Sequence, residues 1–277
     1  MEKIKATCYS KHYTLINSTL YTYCKINDNT IDGILNNYLW FTKPKDFNDP
    51  YDCYPYHEIG LSETDIQDYR NSCIDWLKSN NEIVLFDKNP RQYIIKSLDN
   101  IINNIGVKCF SEVDNEMLMW GHYADSHRGM CLEFDCNLDK TFFSGTQNLE
   151  NALYKVEYCD DIPKFDFTQP TKFGNDLEIR RSHHAIALKS SKWADEKEIR
   201  LVRNLEFKEH YLNTPQKIQY NKDALKSIKF GTNTSEGKIE EIKERVVKCG
   251  YDINIKFYKA KIADPKTGKY GIIFDEI

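Results

Sequence analysis

Hydrophobic residues recur along the chain with two different spacings, and each spacing predicts a kind of element. Apolar residues three or four positions apart predict two long helices, one after a Ser62 cap and one from Pro90 to Gly106. Further helices are predicted after Thr30, from Asp114, over about 175–188 and after Ser235. Because the two long helices are adjacent in the sequence, a helical insertion is predicted at about 61–105.

Short apolar segments between turn residues predict strands. They cover residues 20–23, 38–41, 107–111, 129–134, 153–158, 199–202 and 228–230, and a closing hairpin joins 253–260 to 270–274. Strands and helices are mixed without strict alternation, which favours an α+β fold with a mixed or antiparallel sheet over a doubly wound parallel sheet. No linker rich in proline, glycine or serine divides the chain, so residues 1–277 are predicted to form a single domain.

The segment 193–202 carries alternating charged and apolar residues into one of these strands. In an extended chain Glu196, Glu198 and Arg200 share one side, while Ile199 and Leu201 point into a core. Spacing alone favours a solvated charged face. The alternative is the wall of a polar cleft, in which two carboxylates could stabilise a cationic centre and activate a nucleophile.

A second candidate lies in the turn that precedes Pro50. Asn48 and Asp49 are typical of an ordinary turn capped by a side chain, and they could equally present an amide and a carboxylate to a polar ligand.

A third candidate begins where the strand 107–111 ends on a hydroxyl residue, Ser111. The helix that follows brings Trp120 and Tyr123 to one side. Such rings are more often core anchors, but a strand end with a hydroxyl group and a nearby ring also suits a planar heterocycle.

Composition narrows the class of protein. The net charge of −4 gives no overall basic surface for nucleic acid, and no apolar segment is long enough to span a bilayer. The nine cysteines are scattered without a CxxC pair, which predicts a reduced, cytoplasmic protein. Motifs for metalloproteases, phosphate-binding loops, dinucleotide-binding folds and serine hydrolases are absent, and the histidine spacing predicts no metal site.

Several segments, taken in order, resemble the bacterial domain of unknown function 2971 family. They are 20–23, 39–41 with 47–50, 109–111, 119–123 through 129–133, Tyr158, Trp193, 196–202 and 228–231. The resemblance extends over nearly the whole chain.

In its layout this family resembles the ADP-ribosyltransferase superfamily, whose members place three separated motifs on a split sheet. The resemblance implies that Glu198 is the catalytic residue and that Glu196 orients the acceptor. It also implies that Ser111 belongs to the second motif, with a ring of Trp120 or Tyr123 against the nicotinamide of NAD.

The first motif of that superfamily is an arginine or histidine on the first strand, and this chain departs from it. Tyr23 or Lys25 would have to take that place. Asn48, Asp49 and Arg200 complete the candidate cofactor-binding residues. Similar proteins look like components of bacterial conflict and phage-defence loci, so we expect an NAD-using transferase or an NAD-cleaving toxin that acts on an unknown macromolecule.

Two alternatives belong to other classes. A metal-dependent nuclease or phosphoesterase would use Asp49, Glu112, Glu133 and Glu196 around Mg²⁺. A non-catalytic sensor would bind a nucleotide or a protein through the same cleft.

Overall fold

A computed structural model describes residues 19–53, 62–136, 153–161, 186–205, 211–212, 214–251, 255–268 and 270–277. The helices delimited there are α1 (Asp28–Leu35), α2 (Glu63–Ser79), α3 (Ile83–Lys88), α4 (Pro90–Asn103), α5 (Met117–His122) and α6 (Glu236–Lys248). The strands are β1 (Thr19–Cys24), β2 (Tyr38–Trp40), β3 (Ile105–Ser111), β4 (Met130–Asp135), β5 (Leu153–Lys155), β6 (Glu157–Cys159), β7 (Leu188–Ser190), β8 (Glu198–Asn204), β9 (Tyr211–Leu212), β10 (Thr214–Gln219), β11 (Leu225–Phe230), β12 (Lys256–Ile262) and β13 (Ile272–Glu276).

Eight strands form the main sheet in the order β13-β12-β11-β4-β1-β3-β8-β5. Neighbouring strands in it are antiparallel, except that β11 and β12 are parallel. Strands β2, β10 and β9 form a small antiparallel sheet, and β6 pairs in parallel with β7. The prediction of a mixed α and β fold with a large mixed sheet is therefore confirmed.

Successive side chains of the main sheet point to opposite faces. We call the side that carries Leu20, Leu132 and Ile199 the apolar face, and the side that carries Ser111 and Glu198 the polar face. The apolar face packs against α1 and α6 in the largest hydrophobic core. The predicted inward direction of Ile199 and Leu201 is confirmed, since both are buried in that core.

Helix ends follow the capping rules, with one shift from the prediction. Ser62 caps α2 and completes a capping box with Asp65, as the sequence indicated. The N-cap of α1 is Asn27, and Thr30 is its partner three residues later instead of the cap itself. Ser235 takes the N-cap position of α6, as predicted, but its side chain makes no capping hydrogen bond.

Three predicted boundaries are wrong. Ile105 was placed on the second long helix but begins β3, because α4 ends at Asn103. The helix predicted from Asp114 begins at Met117, capped by the Glu116 side chain, since Asp114 pairs with Lys229 instead. The predicted strand 153–158 divides into β5 and β6, which belong to different sheets.

Two further predictions fall partly outside the described residues. Most of the helix predicted over about 175–188 lies there, and its last residue, Leu188, is wrong because it begins β7. The closing hairpin is confirmed for β12 and β13, which are antiparallel, while its first residues 253–254 are not described. The short strands β7, β9 and β10 and helix α3 were not predicted.

No helix in the described ranges is long and apolar enough to cross a membrane.

Candidate functional site

Five charged side chains are buried together on the polar face, near the start of β8. They are Asp52, Lys189, Glu196, Glu198 and Arg200, and we call them the ion cluster. Buried charges are rare in proteins unless they are paired, and here each contacts at least one opposite charge. The cluster is therefore the main candidate for a functional site.

Local backbone geometry brings the two glutamates together by different routes. Glu198 is the first residue of β8 and shares a strand face with Arg200, as predicted. Glu196 is not on the strand: it ends a 3-10 helix, Ser191–Glu196, and Lys197 follows with a φ of 44°. The predicted extended path through Glu196 is thus wrong, although the left-handed turn at Lys197 still lets its carboxylate join the cluster.

Arg200 is fully buried, and acceptors surround its guanidinium. Its Nε and Nη2 donate to the two oxygens of Glu198 at 2.8 and 2.9 Å, a bidentate pair. Nη2 also donates to Asp52 at 2.8 Å, and Nη1 donates to the carbonyl of Ile186 at 2.7 Å. These contacts favour a structural role for Arg200 over the predicted contact with a cofactor.

Lys189 lies among three carboxylates. Its Nζ is 2.5 Å from Glu196, 3.1 Å from Glu198 and 3.2 Å from Asp52. Burial alone lowers the pKa of Lys189, but the negative charges of these neighbours outweigh burial and the net pKa is raised. Lys189 is therefore a permanent cation in the cluster.

The two glutamates have opposite pKa shifts. Burial acts to raise the pKa of both, and for Glu198 the charges of Arg200 and Lys189 outweigh it and lower the pKa to about 2. For Glu196 burial prevails over Lys189, and its pKa is raised above the ordinary value. Glu196 is therefore the carboxyl group of the cluster better suited to exchange a proton.

A chain of hydrogen bonds leads from Glu196 towards the surface. The Tyr123 hydroxyl donates a hydrogen bond to Glu196 Oε1 at 2.5 Å. Burial and Glu196 raise the pKa of Tyr123, and the side-chain amide of Asn48 near the same hydroxyl acts to lower it. Asn48 is exposed and Tyr123 is partly exposed. Three residues predicted separately, from three segments of the sequence, are thus in one network.

Ser111 binds the backbone of Glu196 and so fixes its position in this network. Its Oγ donates to the backbone carbonyl of Glu196 at 2.7 Å and accepts from the backbone N–H of Val113. Because Ser111 is fully buried, it positions the backbone of Glu196 and presents no surface to a ligand.

Three other predicted residues lie apart from the cluster. Trp120 is 0% exposed, its ring meets that of Tyr23 edge-on at 5.3 Å, and its indole N–H donates to the carbonyl of Asp114. Tyr23 is buried and donates to the carbonyl of Val113. These contacts favour the core-anchor interpretation for both rings. Asp49 accepts from the backbone N–H of Tyr51, the ordinary turn contact.

Sequence reasoning missed Asp52, Lys189, Tyr158 and Trp193 as site residues. Tyr158 accepts the backbone N–H of Glu198 at 2.9 Å, and the partly exposed Trp193 ring lies 5.3 Å from Lys189 Nζ. One signal was available, because Lys189 follows directly on the apolar residues 185–188 and a lysine there needs a buried partner. Nothing in the sequence indicated that the partner would include Asp52.

The carboxylates proposed to bind Mg²⁺ do not lie together at one site. Glu112 pairs with Lys155, whereas Glu133 accepts from Ser227 and pairs with Lys229. Within the described ranges, no group of three or more His, Cys, Asp or Glu side chains could hold a metal ion.

The fold and the cluster together define a mixed α/β protein with a buried, hydrogen-bonded group of charges at one end of strand β8. Residues 119–201 match a family described as "Protein of unknown function (DUF2971)". The matching segment contains Tyr123 and four of the five ion-cluster residues, all except Asp52. Comparison with curated proteins gave no match, and comparison with solved structures gave none either.

Proposed function

We propose that the protein is an enzyme that uses NAD, cleaving the bond between nicotinamide and ribose and passing ADP-ribose to water or to a macromolecule. The observation that carries the proposal is the Glu196 carboxyl group, held between the Tyr123 hydroxyl and the Lys189 ammonium with a raised pKa. A carboxyl group of this kind can take a proton from an incoming nucleophile near neutral pH.

The charge of the ion cluster also supports this chemistry. Three carboxylates face two cations, so with all groups ionised the cluster carries one excess negative charge. As the glycosidic bond breaks, the electron pair leaves with nicotinamide and positive charge develops on the ribose. A fixed negative site stabilises that charge in surroundings that exclude water.

Roles within the site differ from those that the resemblance implied. Glu198 contacts two cations, Arg200 and Lys189, and its pKa is lowered, so it stays ionised, holds both cations in place and is a positioning residue. Both oxygens of Glu196 also accept hydrogen bonds, but one donor is the partly exposed Tyr123 hydroxyl and the pKa of Glu196 is raised, so we assign to Glu196 the role of proton acceptor. The half-exposed rings of Tyr123 and Trp193 are the surfaces against which we place nicotinamide, in preference to Trp120.

The setting we propose is a cytoplasmic, NAD-consuming effector or toxin, as in anti-phage defence. No disulfide links the cysteines of the described ranges, which is typical of a reducing compartment.

The test is to incubate the purified protein with NAD labelled on the adenylate moiety and to measure free nicotinamide and labelled macromolecules. We expect turnover by the parent, a loss of about 10²–10³-fold for Glu196→Gln, and a smaller loss for Tyr123→Phe. Asp195→Asn is the matched control, because Asp195 is an exposed neighbour on the same 3-10 helix.

Each other outcome would decide against the proposal. Equal rates for the parent and Glu196→Gln would remove Glu196 from the mechanism. Tight binding of NAD without any release of nicotinamide would favour the sensor, and cleavage of nucleic acid abolished by a chelator would favour the nuclease.

A further inference from the structure

A cavity of about 350 Å³ lies on the apolar face, away from the ion cluster. Its walls come from α1, from β2 with β10, and from the three central strands β1, β3 and β4 of the main sheet. None of the ion-cluster residues lines it. Its volume lies within the range of pockets that take small organic molecules.

Lys108 is the unusual residue of this cavity. It belongs to β3 and points to the same face as Phe110, with its Nζ 5.8 Å from the Phe110 ring. Among the described residues no hydrogen bond or ion pair satisfies the Lys108 ammonium. Lys108 is half-buried, and no carboxylate of the described lining neutralises its ammonium. A half-buried cation beside apolar walls attracts an anion more strongly than one in open water, because its charge is screened less.

The remaining lining has a consistent character. Lys217, at the rim, already pairs with Asp32 at 3.3 Å and lies over the Tyr38 ring. Among the described residues no carboxylate lines the cavity, while the rings of Tyr38 and Trp40 do, and Trp40 is 46% exposed. The site therefore combines one half-buried, unpaired cation with aromatic surface.

We propose that this cavity binds a small organic monoanion with a planar apolar body, such as an aromatic carboxylate, with Lys108 as its counter-ion. A single charge is expected because, of the two lysines in the described lining, Lys217 pairs with Asp32 and Lys108 has no such partner. The planar body follows from the aromatic walls, on which flat apolar groups pack well. The proposal is independent of NAD chemistry, because the two sites lie on opposite faces of the sheet.

The electrostatics of Lys108 agree with this geometry. Burial lowers the pKa of Lys108, and a bound anion would raise it again. The free energy gained by pairing this ammonium would be part of the binding free energy of the anion.

The first experiment measures binding of 2-naphthoate and of its uncharged analogue 2-naphthamide by isothermal titration calorimetry. We expect the parent to bind 2-naphthoate at least about tenfold more tightly than 2-naphthamide, since a charge-assisted contact contributes well over 1 kcal/mol. Lys108→Met should lose this preference and bind 2-naphthoate at least about tenfold more weakly. Lys226→Met, an exposed lysine on β11, should behave as the parent.

A second measurement follows the pKa of Lys108 in the parent and uses Lys108→Met to assign its signal. Reductive methylation with ¹³C-formaldehyde gives each lysine an NMR signal, and the signal absent from Lys108→Met is that of Lys108. Its pKa should rise when 2-naphthoate binds. Equal affinity for the acid and the amide, no binding of either, unchanged affinity in Lys108→Met, or an unchanged pKa would each overturn the proposal, whatever the result with NAD.

Discussion

Two lysines lie on opposite faces of the main sheet, one buried and one half-buried, and their neighbours differ in charge. The buried Lys189 lies within 3.2 Å of three carboxylates on the polar face. The half-buried Lys108 lies on the apolar face in a cavity that no carboxylate of the described residues lines. The pKa of Lys189 is raised and that of Lys108 is lowered, although burial acts in the same direction on both. The charges of neighbouring residues therefore decide the direction in which each lysine pKa is shifted.

Because their neighbours differ in charge, the two lysines are expected to contribute differently to stability. Lys189 is already neutralised, and removing it would leave carboxylates buried without sufficient compensation. No carboxylate of the described residues neutralises Lys108, so an apolar residue in its place would remove the free energy lost in partly desolvating the ammonium. The same substitution, lysine to methionine, is therefore expected to have opposite effects on stability at the two positions.

The largest effect is expected for Lys189→Met. This variant leaves Asp52, Glu196 and Glu198 with Arg200 as their one remaining cation in the cluster. Breaking a buried group of ion pairs by removing one partner commonly destabilises a protein by about 3–5 kcal/mol. The free energy of unfolding, measured by urea denaturation near neutral pH, should fall by that amount.

Lys155→Met is the matched control for this experiment. Lys155 also pairs with a glutamate, Glu112 at 2.7 Å, but its side chain is 50% exposed. Exposed pairs contribute about 0–1 kcal/mol, so this variant should be almost as stable as the parent. Equal effects of the two substitutions would show that the ion cluster does not stabilise the fold as argued.

The second prediction concerns Glu198 and pH. The pKa of Glu198 is lowered to about 2, below its ordinary value, so ionised Glu198 stabilises the native state. This contribution is present above the ordinary pKa of about 4.3 and is lost as the pH falls towards 2; a shift of that size corresponds to on the order of 3 kcal/mol. We expect the free energy of unfolding of the parent to fall more steeply with acidification than that of Glu198→Gln.

Denaturation curves collected at intervals between about pH 6 and pH 2 test this difference in slope. Glu240→Gln is the control, because the Glu240 side chain is 63% exposed on α6 and its substitution should leave the slope of the parent unchanged. If the free energies of unfolding of the parent and of Glu198→Gln fell in parallel with pH, Glu198 would not be ionised more readily in the folded protein than in the unfolded chain.

Much of the fold followed from the sequence because local rules decided it. Helices with regular apolar spacing that begin after a serine, such as α2 and α6, were predicted from Ser62 and Ser235. Alternation on β8 predicted the directions of Glu198 and Ile199. The short strands β7, β9 and β10 were missed, since two to six residues carry too little pattern and their pairing partners decide them.

The site was predictable only in part. Asn48, Tyr123 and Glu196 were identified from their residue types, but that they share one network depends on contacts across 73 or more positions in the sequence. Asp52 and Lys189 were missed for the same reason, because an ion pair between distant segments leaves no local signal. Lys108 looked like an ordinary polar position of a strand, and only the cavity around it shows its isolation.

The smallest expected effect has the opposite sign and completes the comparison. Lys108→Met replaces a half-buried, unpaired ammonium by an apolar side chain of similar length, and we expect it to stabilise the protein by at most about 1 kcal/mol near neutral pH. Because the folded-state pKa of Lys108 is lowered, the parent should gain stability as the pH rises from that value towards the ordinary lysine value of about 10.4. The advantage of the variant should therefore shrink on going to alkaline pH. Urea denaturation of both proteins near neutral pH and near pH 10 measures this, and a variant less stable than the parent at neutral pH would mean that Lys108 has a stabilising partner and that its cavity needs no anion.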